Sequence, residues 1–162
     1  MERIKTFLRE YWFSILILPL VLYWLLNRGS YGLIDNADLV IHEAGHVLFM
    51  FFGKFIHALG GTLMQILLPS LIIFYFLKNR YTIGVQAGLL WLGQNLINIS
   101  VYAADARAHK LHLLGGNKVY HDWTYLLSQT GLLEMDAEAG MFFFILAILT
   151  FLLLLIIPAF IK

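Results

Sequence analysis

His42 and His46 stand four residues apart in the run His42-Glu43-Ala44-Gly45-His46. On a helix that spacing puts both imidazoles on one face, where they can bind a single metal ion. Glu43 projects beside them, a carboxylate able to take a proton from water at such an ion. The motif lies within the apolar stretch Leu39 to Phe52. An ionisable group in such surroundings is expensive to keep, which favours chemistry over plain bonding between helices. Gly45 removes a side chain where a substrate backbone or a neighbouring helix must come close.

A catalytic zinc site takes three protein ligands and keeps one position for water. Val47 to Phe52, directly after the motif, hold no further ligand, so the third comes from elsewhere in the chain. Trp91, Asn95, Asn98, Tyr102 and Asp105 recur at steps of four and three and form one helical stripe. Polar groups in lipid face protein or water, which turns that stripe towards the interior of a bundle. Asp105 ends it and carries the charge a divalent ion needs, so it is the expected third ligand. His121 and Asp122 are the alternative, a ligand with its supporting partner, and Asn98 is a further candidate for either role. His57, His109 and His112 read as interfacial residues, and Gln65 and Gln94 as bridges between helices.

The elements that must position these groups are membrane helices. The chain has 162 residues, 60% of them hydrophobic, with 13% charged and a mean hydropathy of +0.79. That composition excludes an ordinary soluble domain and points to a single membrane-embedded unit over residues 1–162. A net charge of +1 without a basic run gives no sign of nucleic-acid binding. The absence of cysteine excludes disulfides, thiolate ligands and a cysteine nucleophile.

The expected fold is an all-α polytopic bundle with about five hydrophobic segments: 7–26, 39–56, 63–77, 83–104 and 141–161. The stretch 119–133 reads as an amphipathic or re-entrant helix. The second and third segments are short for a crossing, and a re-entrant third segment is the alternative to five full crossings. Asp35 or Asn36 is the expected N-cap of the second helix, and Gly53, Gly60 and Gly61 are read as punctuating the next connection. The first segment, preceded by Arg3, Lys5 and Arg9, lacks a small-residue cleavage site and reads as an uncleaved anchor. With five crossings and the N-terminus inside, seven Lys and Arg fall inside (Arg3, Lys5, Arg9, Lys54, Arg107, Lys110, Lys118). Four fall outside (Arg28, Lys78, Arg80, Lys162), so the N-terminus is expected in the cytoplasm. One conflict follows: the motif then lies near the outer end of its span, and Asp105 near the inner end of the fourth.

The motif, Gly53 seven residues after it and Phe55-Ile56-His57-Ala58-Leu59-Gly60-Gly61 together resemble the core of site-2-protease-type intramembrane metalloproteases. About twenty residues carry the likeness. It implies zinc held by two histidines and an aspartate, Glu43 as general base, and a short extended segment after the motif helix. It further implies cleavage of a membrane-protein or peptide substrate in the bilayer. The Asn-Pro-x-Pro and Leu-Asp-Gly signatures of that family are absent, so Asp105 would serve from a helix end. Two other readings use the same residues: a ceramidase-like hydrolase of a lipid amide or ester, and a metal-binding membrane protein without activity, for which Glu43 would be dispensable. A di-iron enzyme would need more histidines than the chain offers.

Overall fold

The computed structural model describes residues 2–111 and 121–161. Those residues form six α-helices: α1 (Glu2–Leu26), α2 (Leu33–Phe49), α3 (Lys54–Lys78), α4 (Thr82–Ala104), α5 (Asp122–Thr130) and α6 (Asp136–Ile156). No strand occurs among them. Three helical segments, Glu2–Leu26, Lys54–Lys78 and Leu133–Ala159, are long and apolar enough to cross a membrane. Large apolar side chains on their outer faces, among them Leu16, Leu71, Phe74 and Leu152, are exposed, as a hydrocarbon environment requires.

α4 is the centre of the bundle. α3 packs on one side of it and α6 on the other, and α1 closes against α4 and α6. Val85, Leu89, Leu96 and Ile97 of α4 meet Ile17 and Val21 of α1 and Ala147, Phe151 and Leu154 of α6 in one core. α2 stands at the other edge and packs chiefly on α3. A second core, of Ile99, Ala103 and Ala106 with Trp123, Leu126 and Leu127, seats the short α5 beneath α3 and α4. Beside it, the Arg107 guanidinium bonds Glu134 and Asp136 at 2.6 and 2.7 Å and ties the end of α4 to the start of α6.

Two sequence expectations change here, for one reason each. α2 begins at Leu33, earlier than expected, because Asp35 sits at its third position and accepts the Gly32 N–H at 2.6 Å. Asp35 therefore caps from inside the helix, and neither it nor Asn36 is the N-cap. The motif consequently lies in the C-terminal half of α2, which runs parallel to α4, and the conflict of depth disappears. α3 is not short: it has 25 residues, about 37 Å of helix, long enough to cross a membrane. It starts directly after Gly53, whose φ of +87° ends the preceding turn. Phe55 to Leu59 are therefore helical, and the extended segment implied by the family resemblance is not present there.

Gly60 and Gly61 lie within α3, where they make room for α2. A Cβ on Gly45 would stand 2.2 Å from the Gly60 carbonyl oxygen, and one on Gly60 would stand 2.7 Å from that of Gly45. The glycine in the motif thus serves helix-to-helix contact, the second of the two uses its size allowed. α5 occupies most of the expected amphipathic stretch 119–133, of which residues 119 and 120 lie outside the described residues; Gly131 ends it in the left-handed conformation.

Candidate metal centre

α2 presents His42 and His46 to the same point, and α5 brings Asp122 there from the far end of the sequence. Asp122 Oδ2 is 3.0 Å from His42 Nε2 and 3.2 Å from His46 Nε2. Donor atoms of the three residues all lie within 4.8 Å of one another, so one ion can reach all three. Tyr102 of α4 fixes the carboxylate, donating its hydroxyl to Asp122 Oδ2 and accepting the Asp122 N–H, both at 3.1 Å. Trp123 and Leu126 anchor α5 in the core below.

The proton positions make this more than proximity. His46 Nδ1 lies 2.8 Å from the His57 carbonyl oxygen, which only accepts, so Nδ1 carries the hydrogen. His42 Nδ1 lies 2.9 Å from Gln65 Oε1, whose amide nitrogen donates in turn to Asn98 Oδ1 at 3.1 Å. Both Nδ1 atoms are therefore donors, and both Nε2 atoms face the same carboxylate oxygen. Burial alone would raise the Asp122 carboxyl, but its contacts with His42 and His46 hold it well below the usual carboxylate range. Two imidazole nitrogens and a carboxylate oxygen converge, where a metal ion or protons on the imidazoles supply the balancing positive charge. Two imidazole nitrogens, a carboxylate oxygen and supporting bonds on both far nitrogens make a donor set suited to zinc.

Glu43 is exposed towards a cavity of about 1450 Å³ that also receives His42, His46 and Asp122. Leu39, Val40, Ile97 and Val101 supply its apolar walls, with Arg28, Lys54 and Lys110 at its polar ends. Water can therefore reach Glu43 and the metal-binding face together.

Asp105, the expected third ligand, is not in the converging group. It ends α4 and closes the next turn, accepting the N–H groups of Lys110 and Leu111 at 2.9 Å each. Asp122, from the alternative pair, is the carboxylate that converges with the two histidines. His121 lies outside the group as well: its Nδ1 accepts the Thr124 N–H at the start of α5, and its ring packs on Tyr102 with centroids 4.3 Å apart. Burial pushes this imidazole down, with nearby His109 adding to the effect. Asn98 is a supporting group, bonded to Gln65. His57 contributes through its backbone carbonyl and His109 bonds Thr124, while His112 lies outside the described residues. The roles of Tyr102 and Gln65 were missed, although Tyr102 belongs to the polar stripe and Gln65 had been read as a bridge.

The His42 ring is also held from behind. A Cβ on Gly61 would stand 2.4 Å from its Nε2 and Cε1 atoms. With both ring nitrogens engaged, the imidazole has no free direction in which to give. Gly61→Ala is therefore expected to lower zinc affinity by about tenfold or more, within the range for lost orientation of a ligand. Chelator competition would measure it, and circular dichroism should show unchanged helix content.

No protein-family model, curated protein or solved structure matches this chain.

Proposed function

We propose that the chain is an integral membrane zinc hydrolase that cleaves peptide bonds in or near the bilayer. In this reading α1, α2, α3, α4 and α6 are the membrane segments, with the N-terminus in the cytoplasm. The observation that carries it is the convergence of two imidazole Nε2 atoms and the Asp122 carboxylate beside Glu43 in a water-accessible cavity. Zinc held by His42, His46 and Asp122 would lower the pKa of a water and polarise the scissile carbonyl. Glu43 takes the proton as the water oxygen bonds to the carbonyl carbon, then gives it to the departing amine. Tyr102 keeps Asp122 turned towards the histidines throughout.

A second reading has one observation in its favour. Because Phe55 to Leu59 are helical, that segment offers no strand edge for an extended peptide to pair with. A lipid amide or ester, which needs no such edge, would fit the same apolar-walled cavity. Purified protein in vesicles should cleave a transmembrane peptide and leave bulk lipids intact. Glu43→Gln should reduce that cleavage at least ~100-fold, as for loss of a general base, while keeping zinc. Lipid turnover without peptide cleavage would select the second reading. Undiminished hydrolysis by Glu43→Gln would reject both.

A further inference from the structure

Asp35 lies well along α2 from the metal-binding residues, yet a single hydrogen-bond chain joins it to His42. Its Oδ1 accepts Asn98 Nδ2 at 3.2 Å and Gln94 Nε2 at 2.9 Å, and its Oδ2 accepts the Gly32 N–H. Asn98 Oδ1 then accepts Gln65 Nε2 at 3.1 Å, and Gln65 Oε1 faces His42 Nδ1 at 2.9 Å. Every link points the same way. A carboxamide has a donor end and an acceptor end, and nothing in its shape decides which end faces which neighbour. A carboxylate, by contrast, only accepts.

We propose that Asp35 is a positioning residue that sets the tautomer of His42 through Asn98 and Gln65. Its carboxylate turns the Asn98 amide nitrogen towards itself, which leaves the Asn98 oxygen for Gln65. Gln65 must then give its nitrogen to Asn98 and its oxygen to His42. His42 keeps hydrogen on Nδ1 and a lone pair on Nε2, the form that binds metal. Were both amides reversed, Gln65 would donate to Nδ1 and the hydrogen would move to Nε2. The inference rests on the metal reading above for its consequence, although the hydrogen on Nδ1 can be read without metal, when Nε2 faces only the Asp122 carboxylate.

Asp35→Asn inverts the chain at its source. The Gly32 N–H keeps the one remaining oxygen, so the new amide nitrogen faces Asn98 and both amides reverse. Gln65→Glu placed on top of that change supplies an acceptor to both Asn98 and His42, and restores hydrogen to Nδ1. The experiment uses full-length protein, zinc as probe, chelator competition for affinity, and imidazole ¹⁵N shifts of the zinc-free protein in alkaline buffer. Asp35→Asn should weaken zinc binding ~10–100-fold and remove the hydrogen from His42 Nδ1, leaving one on Nε2 towards Asp122. The double variant should recover affinity to within about threefold and return the shift pattern, because the acceptor facing Nδ1 is restored. Wild-type affinity and shifts in Asp35→Asn would overturn the proposal, as would a loss that Gln65→Glu does not rescue. Absence of zinc binding in the wild type would instead reject the metal reading, and the ¹⁵N shifts would still decide the tautomer.

Discussion

Asp122→Ala is expected to purify without zinc and without hydrolytic activity. It removes the one negative charge among three converging ligand atoms and leaves two imidazoles that cannot offset the ion's desolvation. The loss in affinity should exceed the ~10–100-fold that a missing supporting partner costs. Asp105→Ala is the matched comparison. Its carboxylate holds the Lys110 and Leu111 N–H groups and not the metal-binding group, so zinc should stay near one per chain. Metal analysis of both variants with a thermal melt of each separates loss of a ligand from loss of the fold. Stoichiometric zinc in Asp122→Ala would refute the assignment.

Gly45→Ala is expected to have the largest effect on the fold itself. The added methyl would lie 2.2 Å from a backbone oxygen of α3, and backbone cannot rotate away as a side chain can. Relief requires α2 and α3 to separate, and α2 has little other support. Overpacking of this kind costs ~1–3 kcal/mol, and more where backbone must move. His42 and His46 travel with α2, so zinc should be lost together with stability. Ala44→Leu, on an exposed position of the same turn, adds more volume and should leave both unchanged. Melting in detergent together with zinc content distinguishes the two variants.

The all-helical character and the shared face of His42 and His46 on α2 were legible because both depend on local spacing. Apolar runs report helices in lipid, and two histidines four apart report a shared face. The third ligand was not legible for a related reason. The stripe ending at Asp105 is real and does face inward, but most of its polar groups meet α2 and α3. Trp91 bonds Asp38, Asn98 bonds Asp35 and Gln65, and only Tyr102 reaches a ligand. Asp122 belongs to a nine-residue helix after a long connection, where periodicity carries no information about depth. Gly60 and Gly61 misled in another way. A glycine at a turn and a glycine at a helix crossing are identical in sequence, and reading these as a turn shortened α3 and shifted the end of α2.

The order of the ligands along the chain has a consequence for biosynthesis. A ribosome delivers His42 and His46 first, then Gln65 and Asn98, and Asp122 only after the helices that seat α5 have been made. A chain halted before residue 121 holds two oriented imidazoles and no carboxylate. On the metal reading proposed above, the three-residue group is complete only once α5 has docked, after every helix that seats it has been made.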